Sequence, residues 1–205
     1  MRQTTRWEER TNADAEHSRW YIERFRQMSA DGADLAGEAR MLDAMITRGA
    51  RVLDAGCGPG RVGGELAARG HVVVGVDVDP VLIEAALADH PGTDWLVGDL
   101  AELDLPSRGV AEPFDAAVVA GTVMTFLAPG TEAEVLARLG AHVRADGRVV
   151  VGFGAGRGYA FEAFVADVER AGLSLDAAFS TWDLQPFTDE SDFLVAVLRR
   201  VDGAA

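Results

Sequence analysis

From residue 50 onward the chain alternates short β-branched runs with Ala- and Leu-rich stretches whose apolar residues recur at helical spacing. Strands are predicted at 51–54, 72–77, 94–97, 114–120, 148–153, 174–181 and 193–198. Helices are predicted between them: 61–69, stopped by Gly70; one opening on Asp79 as N-cap with Pro80 at its first position; 132–143; and 160–171. The turn after the third of these is expected at Asp146-Gly147. Such alternation is that of βαβ units on a mainly parallel sheet. No helix separates the last two strands, only the loop 182–192, so they are expected to pair as an antiparallel hairpin at a sheet edge.

The first 48 residues differ in character. Trp20, Tyr21, Phe25 and Met28 fall on one helical face, and Leu35, Ala39, Leu42 and Ile46 on another, which predicts two helices. Both can simply pack on the sheet. The aromatics of the first, with Arg24 and Arg26, also suit a lid over a ligand site. The expected organisation is one domain over 1–205, with a helical cap at 1–48 and an α/β core at 49–200.

Composition narrows the partners. The chain has 205 residues, 48% hydrophobic and 25% charged, with a formal net charge of −14, the balance of a soluble globular protein. Its acids are spread along the sequence, and nothing forms a basic stripe for nucleic acid. All 19 basic residues are arginines. No apolar run approaches the ~20 residues of a membrane span, and the basic N-terminus lacks the apolar stretch of a signal peptide. Cys57 is the single cysteine, so no intrachain disulfide forms. A cytoplasmic protein acting on a small molecule is expected, with no nucleic-acid or membrane partner; the oligomeric state stays open.

The informative segment is Val52-Leu-Asp-Ala-Gly-Cys-Gly-Pro-Gly60, a strand running into alternating glycines and then a helix. Glycine permits positive φ and lets a ligand lie against bare backbone. Ligands of open α/β sheets sit beyond the carboxyl ends of the strands. The dinucleotide fingerprint would place its third glycine at position 61, which is Arg61. Asp54 at the strand end suits an ammonium better than a pyrophosphate. Asp77 ends the second strand and can accept hydrogen bonds from both hydroxyls of a ribose. Together these favour a nucleoside ligand with an amino-acid end and no phosphate.

This loop resembles the first motif of the class I, Rossmann-like methyltransferases that depend on S-adenosylmethionine. The stretches 73–79, Trp95-Leu-Val-Gly-Asp-Leu100, 114–120 and 143–151 resemble the motifs that follow it. The resemblance implies a three-layer α/β sandwich whose seven-stranded sheet has the order 3-2-1-4-5-7-6, the last strand antiparallel. It also implies S-adenosylmethionine as cofactor. By position, Asp54, Gly56 and Gly58 would hold the methionine part and Asp77 the ribose. Val78 would flank the adenine, Asp99 would bond its amino group beside Leu100, and the backbone near Ala120 would meet the methionine end. Cys57 is expected to pack and not to react.

No catalytic base is evident. His71 and His90 precede strands on the side away from the cofactor, His142 lies near a helix end, and His17 reaches the site only if the N-terminal segment folds over it. The fourth strand is followed by Gly121-Thr-Val-Met-Thr-Phe-Leu127 in place of the family's His pair, Asn/Asp-Pro-Pro-aromatic motif or Pro-Cys. Methyl transfer from a sulfonium requires orientation and exclusion of water more than a base. The acceptor wall is expected from Tyr21, Phe25, Met124, Phe126, Arg157, Tyr159 and Trp182, with Arg157 able to hold an acidic substrate. No metal-binding cluster is seen. A non-catalytic S-adenosylmethionine-binding protein or partner subunit is the alternative. A nicotinamide-dependent oxidoreductase is disfavoured by the misplaced glycine and the absence of lysine.

Overall fold

The computed structural model describes residues 2–201; the expected domain limits at 1 and 205 lie outside them. Seven strands form one sheet: β1 (Arg51–Ala55), β2 (Val72–Asp77), β3 (Asp94–Val97), β4 (Phe114–Val119), β5 (Val143–Gly154), β6 (Leu173–Phe179) and β7 (Phe193–Arg200). Their order is β3-β2-β1-β4-β5-β7-β6. β1 to β5 pair in parallel, whereas β7 runs antiparallel to both β5 and β6. The central strands are buried on both faces and read as continuous Val, Leu and Ala runs, as parallel strands between helical layers do.

Helices α3 (Gly37–Met45), α4 (Arg61–Ala68) and α5 (Pro80–Asp89) cover one face. Leu42, Val62 and Leu66 pack there on Val52, Val73, Ala116 and Val118. The other face is covered by α6 (Glu132–His142), α7 (Phe161–Arg170) and the loop after β3. Its core joins Leu53, Val119, Val149 and Phe153 to Leu136, Leu139, Phe164 and Leu105. No helix among the described residues is long and apolar enough to cross a membrane.

The architecture differs from the periodicity-based expectation in two places. Three helices precede the sheet where two were expected, because α1 (Arg6–Ala13) forms before α2 (His17–Ala30). Thr5 and Glu8 cap α1 reciprocally, satisfying two amide groups that a helix start leaves free. The expected turn at Asp146-Gly147 is instead part of β5, which begins directly at the end of α6. A register shift between Phe114 and Ala116 takes up the extra length, and Gly147 presses against the Asp115 carbonyl, where a Cβ would stand at 2.9 Å.

Candidate active site

The chain leaves β1 at Asp54-Ala55 and turns at once, its Gly56 and Cys57 N–H groups donating to the Val76 carbonyl at 2.7 and 3.1 Å. Gly56 holds φ at +75°, and a Cβ there would run into Val123. Glycine is therefore required at 56 for both its backbone and its lack of bulk. Cys57 packs with Ile83, Ala86 and Trp95, and burial pushes its thiol pKa up, which suits packing and not nucleophilic attack.

Asp77, at the end of β2, accepts from Gly58 N–H (2.8 Å) and Asp79 N–H (3.0 Å), one on each oxygen. A carboxylate offers about four lone-pair directions, so two remain for a ligand's hydroxyls. No cation among the described residues pairs with Asp77, and burial with nearby Asp79 pushes its pKa up to about 6 against the pull of its amide donors. Asp54 lies beneath the same loop. It accepts from Gly63 N–H at 2.8 Å, and burial raises its pKa to about 7, offset only in part by that hydrogen bond and by Arg61.

The N-terminal helices close over these groups. Trp7 on α1 donates its Nε1–H to Asp79 at 2.8 Å, and Ser18 on α2 donates to the same oxygen at 2.5 Å. Trp7 also meets Tyr21 and Phe126 edge-on, with centroids 5.4 and 5.5 Å away. Ile22, with Trp7, packs on Leu82 and Ala85 of α5. Trp20, by contrast, stays 54% exposed, and with Tyr21 and Phe25 it lines the space beneath the helices. Opposite, the chain leaves β4 through two consecutive left-handed residues, Gly121 (φ +69°) and Thr122 (φ +72°). For a β-branched threonine that conformation is strained, a feature that clusters at ligand sites.

A cavity of about 370 Å³ results, at the carboxyl end of the strands and beneath α1 and α2. Gly56, Gly58, Asp77, Val78, Asp99, Leu100 and Ala120 all line it, as do Tyr21, Phe25, Phe126 and Arg157. Asp54 is set back, lining a small adjoining recess with Gly56, Gly58 and Tyr21. Asp99 is engaged by Ala101 N–H (2.9 Å) and by Arg2 (2.9 Å), which itself is bound to Glu8. Two of its roughly four lone-pair directions are thus taken, one on each oxygen, and two remain.

Three expected acceptor contacts do not reach the cavity. Met124 is fully buried among the core residues around Leu53 and Val119. Tyr159 stacks on Phe153 and donates its hydroxyl to Asp167 at 2.7 Å. Trp182 lies on the opposite sheet face, against Gly152 and Gly37. Conversely, Thr5, Trp7, Arg10, His17, Trp20 and Arg24 line the cavity, and of these the sequence pattern points only to His17, Trp20 and Arg24. The Thr5-x-x-Glu8 signature of a capped helix start was the signal available for the rest.

This geometry has relatives. A family described as a methyltransferase domain matches residues 52–147. The crystal structure of a TehB-like S-adenosylmethionine-dependent methyltransferase from Corynebacterium glutamicum superimposes with a TM-score of 0.86 at 48% identity, over 92% of this chain and 100% of that one. The chain belongs to the S-adenosylmethionine-dependent methyltransferases. The magnesium-protoporphyrin O-methyltransferase of Rhodobacter capsulatus is 34% identical over 148 residues, which are 67% of this chain and 58% of that protein. This methyltransferase chain thus spans little more than half of that relative's length. The 1,6-didemethyltoxoflavin-N1-methyltransferase of Burkholderia thailandensis, crystallised with bound 1,6-didemethyltoxoflavin and S-adenosylhomocysteine, shares the fold at 22% identity and a TM-score of 0.63, over 92% of this chain and 90% of that one.

Proposed function

We propose that the chain transfers a methyl group from S-adenosylmethionine, held in the cavity beneath α1 and α2, to a small-molecule acceptor. The observation that carries this reading is the buried, cation-free Asp77 carboxylate with two open acceptor directions beside the bare backbone of Gly56 and Gly58. A ribose diol satisfies those directions, and burial makes each such bond worth more than in water. Val78 and Leu100 offer apolar flanks to an adenine ring, and Asp99 keeps acceptor capacity for its amino group.

At the other end, Tyr21 stands 3.7 Å from where a Cβ on either Gly58 or Gly121 would sit, so its ring marks the boundary of the methionine space. Arg24, one turn along α2, lies over the rings of Trp20 and Phe25 at 5.7 and 6.0 Å and forms no ion pair among the described residues. It is the cation available for the amino acid's carboxylate, while Asp54 beneath the loop answers its ammonium. Bound S-adenosylmethionine supplies the methyl group on a sulfonium whose departure needs no activation. The chain's task is then to orient the acceptor and exclude water, which the Trp7, Tyr21 and Phe126 roof does. His17, held between the rings of Trp7 and Trp20 at 5.3 Å from each, is the imidazole in the cavity wall and stands ready for an acceptor that must lose a proton.

Calorimetric titration with S-adenosylmethionine and S-adenosylhomocysteine, with NADH as control, tests the reading. Binding in the micromolar range, weakened about tenfold or more in Asp77→Ala (roughly the 1.4 kcal/mol or more expected for lost charged hydrogen bonds), is the expected outcome. Absence of binding to both sulfur ligands overturns it.

A further inference from the structure

The chain carries a net charge of −14, yet the mouth of its cavity is basic. Of the nineteen arginines, eleven form ion pairs within the described residues. Four of the eight without one, Arg6, Arg10, Arg24 and Arg157, line the cavity or the hollow that opens from it. Arg24 belongs to the methionine end. The other three gather at the hollow, which holds about 620 Å³ and shares Arg10, Phe126 and Arg157 with the cavity.

The placement is specific. Arg6 and Arg10 stand one helical turn apart on α1, and Arg6 donates to the Thr125 carbonyl at 3.3 Å. Arg157 sits across from them between Gly156 (φ +71°) and Gly158 (φ +85°), and a Cβ on Gly158 would lie 3.5 Å from the Arg6 guanidinium. The glycines on either side of Arg157 add no side chain to the opening, and its Nε lies 3.7 Å from where a Cβ on Gly154 would sit. One carboxylate, Glu9, lines the hollow, and it is not within ion-pair distance of any of the three. Three guanidinium groups around one opening repel one another, and each presents a planar fork suited to an oxyanion. Phe126 adds an apolar wall between the hollow and the cavity.

We propose that the acceptor carries an oxyanion, a carboxylate or a phosphoryl group, seated among Arg6, Arg10 and Arg157 so that the rest of the molecule passes Phe126 toward the methyl donor. The inference rests on the methyltransferase reading of the cavity and specifies its substrate class.

The test uses the protein saturated with S-adenosylhomocysteine, titrated calorimetrically with benzoate, phenyl phosphate and the neutral benzamide. At least one of the two acids binds tenfold or more tightly than benzamide, and which of them does so distinguishes the two sources of the oxyanion. Arg157→Gln, and separately Arg6→Gln, remove that preference, and raised salt weakens it. Equal affinity for all three ligands, no acid binding to the loaded protein, or a preference that survives both substitutions overturns the proposal and leaves the methyltransferase reading intact. Failure of S-adenosylhomocysteine itself to bind is a separate result, and it removes the reading on which the proposal stands.

Discussion

The two buried carboxylates at the strand ends are held at the expense of the free fold. Asp54 rises to about 7 and Asp77 to about 6, both driven by burial, against an ordinary aspartate near 3.8. Folding therefore disfavours their ionised forms, and the cost is largest above pH 7. Asp54→Asn keeps an oxygen for Gly63 N–H and removes the charge. At about pH 8 its melting temperature should exceed that of the parent by roughly 2–4 °C, the scale of about 1 kcal/mol in a domain of this size. Toward pH 4 the two should converge, because the unfolded chain then takes up the proton as well. An equal gap at both values would show that the buried charge is not the cause. At this scale the sequence was informative where backbone geometry dictates residue type: Gly56 must be glycine, and Asp77 announces itself by ending a strand after such a loop. It was uninformative for Met124, Tyr159 and Trp182. Each lies in a loop of the right address, but loop position does not say toward which side a side chain turns, and a core cluster, the Asp167 carboxylate and Gly152 claim them.

At the scale of elements, strands and sheet helices could be read from periodicity because their burial is set by the sheet itself. Helix α1 could not. Its sequence, Arg6 to Ala13, has Trp7 as its single buried residue, and what fixes it is tertiary: the indole bond to Asp79, the ring contacts to Tyr21 and Phe126, and Arg2 reaching Asp99. Asp79 does two jobs, capping α5 through Val81 N–H and anchoring the roof through Trp7 and Ser18. Trp7→Phe keeps the apolar ring and deletes the bond to that carboxylate, a loss of about 1.5–3 kcal/mol for a charged partner, part of which falls on the closed roof. We expect S-adenosylhomocysteine to leave roughly 5–30 times faster in stopped-flow displacement, with amide exchange quickened over residues 2–30 and unchanged in the sheet. Unaltered release and exchange would mean that α1 and α2 are fixed packing elements and no lid.

Across the whole molecule, pH acts on stability and on cofactor affinity in opposite directions. Raised carboxyl pKa values mean that the folded state holds protons the unfolded chain has released between about pH 4 and pH 6–7, so the contribution of Asp54 and Asp77 to stability is complete at low pH and lost as pH rises through that window. Ion-paired acids such as Asp43, whose pKa is lowered by His71 with Arg69, and Glu8, lowered against its burial by Arg2 and Thr5, act in reverse and lose their contribution only at more acid pH. Asp79 and Asp54 add negative charge near Asp77, and Arg61 is drawn off by Glu38, so no ion pair among the described residues cancels the effect. Ligand hydroxyls bond best to the ionised carboxylate, so binding pulls the Asp77 pKa back down and weakens as that group takes up a proton below about pH 6. The stabilisation conferred by a fixed excess of S-adenosylhomocysteine, set by RT ln(1 + [L]/Kd), should therefore shrink from about pH 7.5 to about pH 5 while the free protein grows no less stable. Scanning calorimetry with and without the ligand at both values measures the two trends in one experiment. A ligand-induced shift that stays constant across that range would place the ribose hydroxyls somewhere other than on Asp77, and the cofactor's orientation in the cavity would have to be rebuilt from Asp99 and Arg24 instead.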